Sequence, residues 1–235
     1  MKRALPVIAL AAGLALTGCT SGGSSDSADS GSGSQPAAEE TQQSTQLDEA
    51  ALKNIIDTTQ FDGKTFKTVD TSAISSGEAA KALEQAQFEP AECKDLAMAG
   101  LNAAQATNGT TVAGIASDNS MSIGLSSFPD EAAATEQLST SSAITEKCND
   151  VTMNTQGMEM QMTTEAFDAS VPGADESTGV RIAYSFGDQE MSSNDAVYAR
   201  VGNTVASAAN LSPNGDEQDA VKVAEEAVKA VQAAG

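Results

Sequence analysis

Between Thr20 and Gln46 the chain has no Val, Leu, Ile, Met or Phe. Ser, Gly, Gln and Thr dominate this stretch, interrupted by Asp26, Asp29, Glu39 and Glu40. Such a segment buries too little apolar surface to offset its ordering entropy, so it reads as a tether. A flexible chain of this length has an r.m.s. span of about 30 Å. Folding is thereby confined to residues 47–235, a length suited to a single domain. No internal repeat and no comparable later linker divides that stretch. With no Trp, 2 Tyr and 6 Phe, its core must come from Ala, Val, Ile, Leu and Met.

The first 18 residues read as a targeting segment. Lys2 and Arg3 precede the short apolar run ALPVIALAAGLAL at 4–16, too short for a comfortable membrane span. The run closes on Leu16, Thr17, Gly18 and Cys19. This order resembles the bacterial lipobox, which implies cleavage before Cys19 and acylation of its thiol. Two or three acyl chains anchor stably, where one chain is marginal. Cleavage removes Lys2 and Arg3, leaving 10 basic against 33 acidic side chains, a formal −23. A surface of that sign is repelled by anionic headgroups, so the lipid holds the protein at the membrane. The expectation is residues 1–18 as signal peptide, 19–46 as lipidated Cys19 plus tether, and 47–235 as one domain facing outward from the plasma membrane.

The composition also excludes functions. Nucleic-acid affinity comes largely from cations on phosphates, and this chain is strongly anionic. It has no His, which removes His-based triads and His metal sites. Gly63, Lys64 and Thr65 copy the end of a P-loop, but Thr58 occupies the required upstream glycine position. No Ser-x-x-Lys, Gly-x-Ser-x-Gly or Asp-rich calcium loop occurs. No cofactor and no catalytic residue is assigned.

Of the three cysteines, Cys19 takes lipid, leaving Cys93 and Cys148. An outward-facing compartment permits disulfides, and these two have one possible pairing. The plainer alternative is a pair of buried free thiols.

The pattern predicts helices over 48–57, from Ser75 to about Gln87, 90–105, 129–138 continuing to Cys148, and 216–233. Strands are expected at 66–70, 112–116, 121–128, 150–155, 158–166, 179–186 and 195–208, with a turn at Asp118 and Asn119. Close spacing of several strands favours hairpins over βαβ crossovers. The fold class is therefore α+β, an antiparallel sheet of five to six strands with packed helices and one disulfide.

Phe88, Glu89, Pro90, Ala91, Glu92 and Cys93 resemble the Pro-x-x-Cys opening of the extracellular sensor domains of PknH-type mycobacterial kinases and related actinobacterial lipoproteins. Ser127 through Ala134 is similar to the strand-to-helix step of that family, and Lys147, Cys148, Asn149 and Asp150 fall where its second cysteine follows the helix. The resemblance covers about 90–205 and implies an α+β domain with a cleft for a ligand outside the cell. That family usually has two disulfides, and often Trp where Ile144 stands here.

Two constellations are candidate sites. Pairing 179–186 with 195–202 around Glu190 and Met191 would put Arg181, Tyr198 and Arg200 on one face, with the arginines opposed. Opposed guanidinium groups need an anion between them, either a ligand carboxylate or phosphate or, more simply, an acidic side chain of this chain. Met158, Met160 and Met162 alternate in MEMQM, so a strand points all three thioethers one way. Soft sulfur suits Cu(I). The plainer reading is a half-buried strand that uses Met to fill gaps. The function expected is a lipid-anchored, sensor-like binding protein without catalysis, its partner an unidentified small molecule or envelope protein. A carboxylate-based envelope hydrolase and a Met-based Cu(I) binder are the alternatives.

Overall fold

A computed structural model describes residues 45–70, 78–155, 157–187, 189–212 and 215–235. The expected signal segment, Cys19, most of the tether and the helix start at Ser75 lie outside the described residues. Within them are five helices and ten strands. In chain order they are α1 (Glu49–Thr58), β1 (Gln60–Phe61), β2 (Lys64–Val69), α2 (Glu78–Gln85), β3 (Gln87–Glu89), α3 (Glu92–Ala106), β4 (Thr110–Ala116), β5 (Met121–Ser127), α4 (Glu131–Lys147), β6 (Asp150–Thr155), β7 (Met158–Phe167), β8 (Glu176–Phe186), β9 (Gln189–Val201), β10 (Thr204–Asn210) and α5 (Glu217–Ala234).

All ten strands join one sheet in the order β1-β2-β4-β5-β10-β9-β8-β7-β6-β3. Every pairing is antiparallel. The α+β class and its antiparallel sheet stand, but the sheet is larger than the five to six strands expected. β1 and β3 span only 2 and 3 residues, too few to carry a period. The stretch 195–208 is not one strand, because it turns at Gly202 and Asn203 into β10.

Helices cover both faces. β5 alternates strictly between buried and half-buried positions, and β4 does so from Val112 onward. Their buried side chains Val112, Met121, Ile123 and Leu125 join Val197, Ala206, Val223 and Val228 in the main core, under α1 and α5. α1 is held by its Asp48 cap, which accepts from the Ala51 amide at 2.8 Å, and buries Leu52, Ile55 and Ile56. Asp130 and Asp216 cap α4 and α5 in the same way. The opposite face carries a small cluster of Phe128, Ala134 and Val205 against α4. Towards the β3 edge, Ala86, Phe88, Val151 and Met153 surround the Cys93–Cys148 disulfide. That bridge ties the start of α3 to the end of α4, as the cysteine count predicts.

Candidate functional site

The β8–β9 hairpin decides the fate of the arginine pair. β9 begins at Gln189, immediately past the turn at Gly187, instead of near Asp195. Arg181 consequently faces Asp195, and Arg200, five residues further along β9, faces Glu176. Five is odd, and strand faces alternate with period two, so the two arginines fall on opposite faces of the sheet. The expectation of an opposed pair fails here. The polar run Gln189 to Asn194 hid the strand, because its exposed ribbon has no buried face to impose alternation.

Each arginine has acidic partners of its own. Arg181 lies on the α5 side, with Nε donating to Asp195 Oδ1 at 2.7 Å and one terminal nitrogen to Oδ2 at 3.1 Å. A second carboxylate, Glu217 at the start of α5, is 3.4 Å away. The paired Asp195 raises the Arg181 pKa further above its ordinary value. A polar cleft of about 230 Å³ opens here, lined by Arg181, Ser193, Asp195 and Asn210 among others. Arg200 lies on the α4 side with Tyr198. It donates to Asp175 at 3.2 Å and to the Gly202 carbonyl at 3.0 Å. Burial pushes the Tyr198 phenol pKa up. The structure therefore joins Tyr198 to Arg200 and separates both from Arg181.

The methionines are brought together. Met158, Met160 and Met162 share the α4-side face of β7, as alternation requires. Register adds a residue that the sequence pattern did not single out, since Met153 on β6 stands directly opposite Met160. Phe88 lies opposite Met153 on β3, and Tyr184 opposite Met162 on β8. The row runs from core to water. Met153 is 7% exposed, while Met160 is 36% and Met158 62% exposed. Phe186 and Met191, on the neighbouring hairpin end, are 56% and 65% exposed. Four of the five exposed large hydrophobic residues among the described residues thus sit at the ends of β6–β7 and β8–β9. The gap-filling reading of the Met run holds for its inner members and fails for the outer ones.

A further cleft of about 550 Å³ lies beside α1 and β2, lined by Glu49, Lys53, Asp57, Thr68 and Asp70 among others. Lys53 pairs with Glu49, and Asp57 accepts from the Thr68 hydroxyl at 3.0 Å. At the β4–β5 turn, the Ser120 hydroxyl and amide both donate to Asp118, with Lys64 adding its charge. These bonds lower the Asp118 pKa to about 2. Among the described residues no three His, Cys, Asp or Glu side chains group as metal ligands, and no helix is long and apolar enough to cross a membrane.

No family model matches the chain, and no curated protein matches it. Among solved structures it is similar to the extracellular domain of PknH from Mycobacterium tuberculosis, at 13% identity and a TM-score of 0.44, over 80% of this chain and 93% of that one. It is also similar to the Rv0999 ortholog of Mycobacterium smegmatis, at 16% identity and a TM-score of 0.40, over 72% of this chain and 86% of that one. The first of these is an extracellular domain of the family whose motifs the sequence resembles. Likenesses at this level carry no function across.

Proposed function

We propose that this chain is a lipid-anchored domain facing outward from the plasma membrane, and that it binds a ligand or partner without performing chemistry. The N-terminal order of charge, apolar run and Cys19 supports the anchor. The Cys93–Cys148 bridge is consistent with an oxidising compartment. The observation that carries the binding reading is the uncovered Met and Phe surface at the ends of β6–β7 and β8–β9. An acidic domain with this much solubilising charge gains nothing from four large apolar side chains in water unless something covers them.

The test uses intact cells that produce the full chain, with Cys19→Ser beside it. The parent protein should take up labelled palmitate, sediment with membranes and be cut by external protease. Cys19→Ser should lose the label and the sedimentation. Native mass spectrometry of the detergent-extracted parent should then show a bound species that Met158→Glu reduces. An unlabelled, protease-protected parent contradicts the anchor, and a bare protein indifferent to Met158→Glu contradicts the binding surface.

A further inference from the structure

The uncovered surface contains an arrangement that apolar contact alone does not explain. Met160 sits at its centre. Met153 is its direct cross-strand partner, and Met158 and Met162 lie two residues to either side on the same face. Directly opposed residues hold their Cβ atoms about 5 Å apart, and same-face neighbours along a strand are about 7 Å apart. Met158 and Met162 are about 13 Å apart along the strand, too far to share one ion, but methionine is unbranched and flexible, and Met153, Met158 and Met160 lie close enough to bring three sulfurs towards one point above the sheet.

We infer that Met153, Met158 and Met160 form a three-thioether site for a soft monovalent cation, Cu(I) or Ag(I). The inference rests on the reading of this face as a binding surface and names its ligand. Thioether sulfur is neutral, polarisable and a weak hydrogen-bond acceptor, so it competes poorly for hard cations and well for soft ones. The chain has no His, and Cys93 and Cys148 are spent on each other, so no better soft donor in the described domain competes with the three sulfurs. Exposure falls from Met158 to Met153, giving the site an open mouth and a dry floor. Phe88 stands opposite Met153 and shares its buried cluster, so an aromatic ring borders the inner sulfur. The formal −23 of the processed chain raises the local concentration of any cation. A residue chosen only to fill space would not be Met at position 158, where most of the side chain meets solvent.

The test titrates the full chain in detergent with Cu(I), kept reduced by ascorbate without air, against the chromophoric chelator bicinchoninate. One equivalent of Cu(I) should bind. Met158→Leu, at a largely exposed position that leaves the fold intact, should weaken binding by at least the roughly ten- to hundredfold that outer-shell partners of metal sites cost. In a sample labelled at the methionine methyl carbons, Ag(I) should shift Met153, Met158 and Met160 and leave Met191 in place. Equal affinity in parent and Met158→Leu, or shifts at Met191 as large as at the three, overturns the site. A face that takes no Cu(I) but holds an organic molecule in native mass spectra overturns the metal assignment and leaves the binding surface standing. A face that holds neither overturns both.

Discussion

Two acidic residues show how local partners set charge behaviour in this domain. Asp118 is exposed, yet two bonds from Ser120 hold its pKa at about 2, against an ordinary 3.8. The pKa is depressed in the fold, so the contribution is complete above the ordinary value and is lost as pH falls through about 2. Carboxyl NMR should place the Asp118 titration near that point. Ser120→Ala should move it up towards the ordinary value, and a parent already titrating there contradicts the turn geometry. Asp195 is the reverse case, buried at 7% exposure and dependent on the half-exposed Arg181. Removing one partner of such a pair is costly only when it strands the buried charge. Arg181→Met should therefore cost about 3–5 kcal/mol in urea unfolding. Asp195→Asn should cost about 1–2 kcal/mol, because the guanidinium can still reach water and Glu217. Equal costs would contradict this asymmetry.

At the level of elements, close approach explains where helices dock. A Cβ added at Gly114 would lie 2.4 Å from Ile56 Cγ2, so α1 rests on β4 at a position only glycine permits. Gly114→Ala should destabilise by about 1–3 kcal/mol, the usual cost of overpacking a core. A double variant with Ile56→Val should recover part of the loss in thermal melts, and no recovery would contradict the contact. The helices were legible in the sequence where a cap and an apolar face coincide, as at Asp48 with Leu52, Ile55 and Ile56. β4 and β5 were legible because each has one buried face. What stayed hidden has no such face. β1 and β3 are too short, Gly202 and Asn203 bend a run that stays apolar on both sides, and the start of β9 is solvated all round. That last miss displaced the hairpin register and dissolved the arginine site, while Met153 entered the methionine site only through pairing that no single strand reveals.

For the molecule as a whole, the placement proposed above is what a measurement on the intact chain must decide. A stretch without large aliphatic residues precedes an acidic α+β domain, onto which Gln46 Nε2 donates to the Asn108 and Ser127 carbonyls at 3.0 and 3.1 Å and the Leu47 amide to Ser127 Oγ at 2.9 Å. The bridge closes a loop between residues 55 apart, for which chain entropy gives about 4 kcal/mol. That stabilisation exists only where thiols stay oxidised. The most direct measurement is mass spectrometry, without reductant, of the full chain recovered from the cells that make it. The account predicts a chain beginning at Cys19, carrying two or three acyl groups, with the Cys93 and Cys148 peptides joined. An unprocessed chain beginning at Met1, recovered from the soluble fraction with both thiols free, would contradict it.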